Sequence, residues 1–171
     1  MVAKDYIEQA RPLEEQGDYR SALAAYEKAW QRWPDNDRLA EYLANLALTR
    51  LQLNAKAAHY ARQALRLDED NDRAALLAAV SLAQMSRPRE AKEYFDQAIA
   101  GPWPAAEALL SYAAFAEQHS SPRGALALLE RHRQLVRGNA GQYAPTGSAV
   151  RPARRTGPGA GGVSQSVAVG L

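Results

Sequence analysis

The chain has 171 residues, 47% of them hydrophobic and 23% charged, which suits one soluble domain with an appendage. It contains no cysteine, which excludes disulfides and thiol chemistry, and its apolar runs are too short to span a bilayer. The amino terminus lacks the apolar core of a signal peptide. We therefore expect a cytoplasmic location and no membrane insertion. A periplasmic or membrane-assembly setting is expected only if the chain is a fragment of a longer protein.

The net charge of +2 is unevenly distributed along the chain. Residues 1–137 carry 18 basic and 19 acidic side chains, whereas residues 138–171 carry three arginines and no acidic side chain. A nearly neutral domain has no general electrostatic attraction for nucleic acid, so we expect no nucleic-acid partner. RNA binding by helical repeats is a weak alternative, because no continuous basic stripe is present.

The first clear structural pattern lies between Gly17 and Asn36. Gly17-Asp18 is typical of a turn, and Pro34 cannot continue a helix. Between them, apolar residues recur every three or four positions, at Ala22, Leu23, Tyr26, Ala29 and Trp30. This segment is therefore predicted to form a turn, an amphipathic helix and a helix stop.

Small residues repeat at a fixed period of 34 or 35 residues. One column of the repeat contains Ala22, Ala57, Ala91 and Ala125. A second column, in the preceding helices, contains Ala10, Ala44, Ala79 and Ala113. A third column, expected to face the core, contains Tyr26, Ala61, Phe95 and Leu129. Helices approach to about 8–10 Å where the crossing residues are small, so these columns predict a stacked array of helix pairs.

These motifs resemble the tetratricopeptide repeat (TPR) family. The first copy matches the family pattern at Gly17, Asp18, Tyr19, Ala22, Tyr26, Ala29 and Pro34. We divide the repeat domain, residues 1–137, into copies at about 3–36, 37–71, 72–105 and 106–137. The resemblance implies an all-α fold, an α-solenoid of antiparallel helix pairs forming a right-handed superhelix.

Several residues depart from a regular array. Pro12 is predicted to bend, fray or split the first helix, whereas Pro88 and Pro122 are predicted near helix starts, where proline is tolerated. Trp103 is expected to cover the end of a neighbouring core. His132 replaces a small residue of the repeat, which indicates that the array ends there.

Residues 138–171 differ in composition from the rest of the chain. They contain eight of the eleven glycines and three prolines, with no helical or strand period. Such a segment is predicted to be disordered, because it cannot bury enough apolar surface to offset its ordering entropy. No polar capping helix is evident, so self-association through the uncapped end of the array is a further expectation. Whether this tail is native or marks a fragment is left open.

No catalytic motif is present. His59, His119 and His132 lie far apart in the sequence without motif partners, and the phosphate-loop, zinc-protease and serine-nucleophile motifs are absent. The acidic run 68–72 lacks the spacing of a calcium loop, and we expect Asp70 or Asp72 to cap the next helix. We therefore expect no enzyme activity, no cofactor and no metal site.

The TPR resemblance implies that the first helix of each pair lines a concave groove, which binds a peptide or helix of a partner protein. The groove positions are Arg38, Glu41, Asn45, Leu48, Arg73, Leu76, Val80, Gln84, Leu110, Ala114 and Glu117. They predict a groove that is charged at one end and apolar at the other. The alternative interpretation is that Leu76, Val80 and Leu110 are simply core residues.

These observations favour a non-catalytic scaffold or adaptor that holds a protein or peptide partner. The alternative hypothesis is a fragment of a larger bacterial TPR-containing assembly or export protein, in which the array serves as a spacer or docking module.

Overall fold

A computed structural model describes residues 3–101 and 104–139, and these residues form eight α-helices and no β-strand. The helices are α1 (Ala3–Glu15), α2 (Tyr19–Arg32), α3 (Asp37–Thr49), α4 (Asn54–Leu67), α5 (Asp72–Gln84), α6 (Pro88–Ala98), α7 (Ala106–His119) and α8 (Pro122–Asn139). We call α1, α3, α5 and α7 the first helices, and α2, α4, α6 and α8 the second helices.

The helices stack in chain order. Each packs against the next, and α5 also contacts both α3 and α7, so these first helices lie side by side. Short connections between consecutive helices favour antiparallel neighbours. The all-helical solenoid predicted from the sequence is therefore confirmed.

One helix pair lies within each predicted repeat range, except that α8 continues past residue 137 to Asn139. The division into a repeat domain and a tail stays a prediction. The predictions for Trp103 and for residues 140–171 lie outside the described residues.

The alanine columns lie where helices cross. Ala22, Ala57 and Ala91 are fully buried, and Ala125, the fourth member of that column, is buried as well. The column of the first helices is buried in the same way, at Ala10, Ala44, Ala79 and Ala113. A larger side chain at these points would hold the helices apart, which explains the repeated small residue.

Two connected clusters form the core. One surrounds Tyr26 in the first half of the array, and the other surrounds Phe95 in the second half. Trp30, Val80 and Tyr94 pack against both clusters, so the core is continuous along the stack. Tandem repeats bury their apolar faces in this way, each covering its neighbour.

The prediction for Leu129 is wrong. This residue shares its column with Tyr26 and Phe95, which are buried, yet its side chain is exposed. Phe95 is covered by Tyr112 and Phe115 of α7, whereas no described helix follows α8 to cover Leu129.

The proline predictions have mixed outcomes. Pro12 does not split the first helix, because α1 continues through it as far as Glu15. Pro88 and Pro122 are the first residues of α6 and α8, as predicted. At the first turn of a helix the missing N–H group of proline costs little.

The capping residue of α5 is Asn71, which corrects the prediction of Asp70 or Asp72. The Asn71 side-chain oxygen accepts a hydrogen bond from the amide of Ala74 at 2.9 Å. Asp72 is instead the first residue of the helix, where its negative charge is favourable next to the amino end of the helix dipole.

The turn inside three of the pairs uses a left-handed backbone. Gly17, Gln52 and Ser86 have φ angles of 79°, 53° and 58° and lie 35 and 34 residues apart. In the third pair, the amide of Arg87 then donates to the carbonyl of Leu82 at 3.0 Å, which closes the end of α5. Only the first of these turns has the glycine that this conformation favours.

Candidate partner-binding surface

A depression of about 600 Å³ lies across α3, α5 and α7, and we call it the central groove. Its lining comes from these first helices and from Gln52 in the turn after α3. The lining residues are Asn45, Leu48, Thr49, Gln52, Leu76, Leu77, Val80, Gln84, Glu107 and Ser111. Five of the predicted groove residues are therefore brought together here, namely Asn45, Leu48, Leu76, Val80 and Gln84.

The central groove has an apolar floor. Leu48, Leu76 and Leu77 are buried beneath it, and Val80 is half-buried. Buried leucines are held by the core, so they form a firm surface against which an apolar side chain of a ligand could pack. Leu76 is therefore a buried core residue, as the alternative interpretation predicted, and it also lines the groove.

The rim of the central groove is polar and mostly uncharged. Asn45 and Gln84 contribute side-chain amides, Ser111 contributes a hydroxyl, and Glu107 is the one ionisable residue of the lining. An amide both donates and accepts hydrogen bonds, which matches the N–H and C=O groups of a peptide backbone. This surface therefore offers hydrogen-bond partners that suit a peptide backbone and an apolar floor that suits one or two side chains.

The predicted charged end of the groove is largely a bridge between helices. The Nε atom of Arg73 lies 3.1 Å from Oε1 of Glu41, and the side-chain amide of Asn71 donates to Oε2 of Glu41 at 3.0 Å. Glu41 is largely buried, so this pair ties α5 to α3. Arg38 is exposed and lies 3.9 Å from Asp37. Arg38 is therefore the predicted cation most accessible to a ligand.

The last three predicted groove residues lie on another surface. Leu110, Ala114 and Glu117 line a depression of about 370 Å³ between α7 and α8. Ala114 also borders a smaller depression, of about 340 Å³, shared with Val80 and Gln84. Because Leu110 is exposed, the alternative interpretation as a core residue is wrong for Leu110.

A cluster of two tyrosines and one glutamate was not predicted. The hydroxyls of Tyr26 and Tyr42 both donate to the carboxylate of Glu14, with 2.7 Å between Tyr42 and Oε2. Their rings meet edge to face at 4.9 Å. Burial, together with the Glu14 carboxylate, raises the pKa of both tyrosines, which therefore stay protonated and keep donating. This cluster joins the first three helices and has a structural role.

Residues 3–101 and 104–139 contain no group of three or more side chains suited to hold a metal ion. His59 packs against the ring of Tyr60 at 5.2 Å, and His119 packs against Phe115 at 4.9 Å. None of the helices in these ranges is long and apolar enough to cross a membrane.

No protein-family model and no curated protein matches the sequence, but solved structures do match the fold. A crystal structure of MamA protein has a TM-score of 0.72 and 18% identity, over 80% of this chain and 74% of that chain. The structure of residues 41 to the end of MamA from Desulfovibrio magneticus RS-1 has a TM-score of 0.71 and 13% identity, over 80% of this chain and 76% of that chain. The crystal structure of PilW, a widely conserved type IV pilus biogenesis factor, has a TM-score of 0.65 and 27% identity, over 77% of this chain and 61% of that chain.

MamA and PilW are TPR-like proteins, and their identities of 13–27% to this chain support a shared fold. The alanine columns and the Gly-Asp-Tyr turn of the first repeat agree with that fold. The chain is a helical-repeat protein with the tetratricopeptide repeat fold.

Proposed function

We propose that this chain is a non-catalytic scaffold that binds a peptide or helix of a partner protein in the central groove. The observation that carries the proposal is the composition of that groove: buried leucines form its floor and uncharged amides form its rim. This combination suits a segment with apolar anchors and a backbone that needs hydrogen-bond partners.

The volume of the central groove, about 600 Å³, is in the usual range for a binding site. Its position on three successive first helices favours an elongated ligand over a compact one. Glu107 is the one ionisable residue of the groove lining, and Arg38 is exposed in the first turn of α3, outside the lining. We therefore expect a ligand of low net charge, anchored by one or two apolar side chains.

The structural matches add a second candidate function. PilW is described as a factor in pilus biogenesis, and it matches this chain at 27% identity over 61% of the PilW chain. On that basis, the alternative is a spacer or docking module of a larger bacterial assembly or export protein. The cytoplasmic location expected from the sequence stays a prediction, which cell fractionation would test.

The test of the groove is affinity capture from native lysate with the full chain. The groove variant is Asn45→Lys with Gln84→Lys, which places two positive charges on a rim whose one ionisable residue is Glu107. The matched control is Gln16→Lys with Gln31→Lys, since both glutamines are exposed and lie outside the central groove. We expect a partner that is captured by the wild type and by the control but lost from the groove variant.

Equal capture by the two variants would contradict the groove assignment. Circular dichroism of both variants should equal that of the wild type, which separates loss of binding from loss of folding. If the captured proteins are components of one assembly and both variants retain them, the docking-module alternative is favoured instead.

A further inference from the structure

The carboxyl-terminal end of the described array has an uncovered apolar surface. Phe95 on α6 is 1% exposed because α7 covers it, whereas Leu129, 34 residues later on α8, is 43% exposed. The first helices show the same contrast, because Leu76 on α5 is 7% exposed and Leu110 on α7 is 45% exposed. The last helix pair therefore presents the surface that earlier pairs bury.

We call this surface the end face and define it by Leu110, Leu126, Leu129 and Val136. Leu126 is 65% exposed and Val136 is 51% exposed. On α8 the three apolar residues follow at steps of three and seven positions, which places them on one side of the helix. The depression of about 370 Å³ between α7 and α8 lies beside Leu110, Leu126 and Leu129, and Glu117 of α7 is the one ionisable residue of its lining.

The shape of the end face is suited to a helix. One pair earlier, α7 occupies the corresponding place and brings Tyr112 and Phe115 against Phe95, with ring centres 4.9 and 5.0 Å apart. A partner helix with apolar residues at positions i, i+3 and i+7 would make the equivalent contacts with Leu126 and Leu129.

The charge of α8 indicates which kind of helix fits. The helix contains four arginines and one glutamate. Arg133 follows Leu126 by seven positions and Arg137 follows Arg133 by four, so both arginines lie beside the apolar stripe. Arg133 is 3.3 Å from Glu130, whereas Arg137 forms no ion pair or hydrogen bond with the described residues. A partner helix with carboxylates beside its apolar anchors would complement this surface.

Two other occupants fit less well. A second copy of the chain, packed α8 against α8, would bring Arg133 and Arg137 of both copies into one interface, and these like charges repel. The chain's own residues 140–171 contain no Asp or Glu, and their glycine and proline content is unfavourable for a helix.

We propose that the end face binds an acidic amphipathic helix of a partner protein, anchored on Leu126 and Leu129 and oriented by Arg133 and Arg137. This second docking surface is separate from the central groove. It allows the chain to hold two protein segments at once.

The proposal can be tested with the full chain and two synthetic helical peptides. Both peptides carry leucines at i, i+3, i+7 and i+10, and the residues beside the leucines are all glutamate in one and all lysine in the other. Fluorescence anisotropy measures their binding to the wild type, to Leu126→Ser with Leu129→Ser, and to Arg133→Glu with Arg137→Glu. Because all four side chains are exposed, both variants should keep their helical content.

We expect the acidic peptide to bind the wild type about tenfold more tightly than the basic peptide does at low salt. The leucine variant should lose both peptides, and the charge-reversed variant should prefer the basic one. The groove variant Asn45→Lys with Gln84→Lys should bind like the wild type, which separates this proposal from the function of the groove.

Equal binding of the two peptides, or binding unaffected by the leucine variant, would overturn the proposal. Sedimentation of the wild type gives a further outcome. A dimer that dissociates in the leucine variant would show that a second copy occupies the end face, and the acidic-helix proposal would then be wrong.

Discussion

Phe95 provides the sharpest test of how the repeats support one another. Its ring is fully buried, stacks on Tyr112 at 4.9 Å with 7° between the ring planes, and lies 5.0 Å from Phe115. Phe95→Ala removes the ring from the junction of α6 and α7. Replacing a buried phenylalanine with alanine costs about 3–5 kcal/mol, because apolar contact is lost and a cavity remains.

Leu129→Ala is the matched control, since Leu129 occupies the same repeat position one pair later. Its side chain is already 43% exposed, and solvent would fill the space that the change leaves. Leu129→Ala removes three carbon atoms, each worth about 0.8 kcal/mol when fully buried. Because they are only about half-buried, the free energy of unfolding should fall by about 1 kcal/mol. The two variants should therefore differ by at least about 2 kcal/mol.

Urea unfolding followed by circular dichroism measures both changes. The slope of the free energy of unfolding with urea should be compared as well, because repeat arrays can unfold in parts. Similar losses for the two variants would contradict the conclusion that α7 covers Phe95 while Leu129 has no cover. A loss below about 1 kcal/mol for Phe95→Ala would refute the packing of this core.

Three further predictions concern turns, helix crossings and pH. Ser86→Gly should raise the free energy of unfolding by about 0.5–1 kcal/mol, because Ser86 has a φ of 58°, in the left-handed region that favours glycine. Ser120→Gly is the control, because Ser120 lies in the equivalent turn with a φ of −125° and should gain no stability. Equal effects of the two changes in urea unfolding would contradict this prediction. Ala79→Leu should lower the free energy of unfolding by about 1–3 kcal/mol in the same assay, because Ala79 is fully buried where two helices cross. Ala24→Leu is the control and should change it little, because Ala24 is exposed. Burial and the neighbouring Glu27 carboxylate raise the pKa of Tyr60 to about 12, above its unfolded value of about 10. Its contribution to the free energy of unfolding is therefore complete below pH 10 and is lost as the pH rises towards 12. Tyr60→Phe should flatten this decline, and the same dependence of stability on pH in the variant and the wild type would refute the assignment.

The sequence predicted the fold because the signals that determine the fold are periodic. A buried alanine at every helix crossing appears in the sequence as a column, and Ala22, Ala57 and Ala91 are all fully buried. The proline at the start of α6 and of α8 is a local signal of the same kind. Such patterns need no knowledge of contacts between distant residues.

The features that the sequence did not predict depend on neighbouring helices. Leu129 belongs to a core column, but its burial requires another helix to cover it. The bridge from Arg73 to Glu41 joins residues 32 positions apart on different helices, and the Glu14–Tyr42 contact spans 28 positions. A helical period in the sequence does not indicate which residues of different helices pair. For this reason the sequence predicted a charged end of the groove where the structure has a bridge between two helices.

Site-specific photo-crosslinking can show whether a partner protein lies in the central groove. A photoreactive residue at Gln84 reports contacts at the rim of the groove, and one at Gln31 on α2 reports contacts on the second helices. In native lysate, we predict a discrete crosslinked partner from position 84 and none from position 31. The same crosslinked partner from both positions, or no crosslink from position 84, would contradict a partner site in the groove.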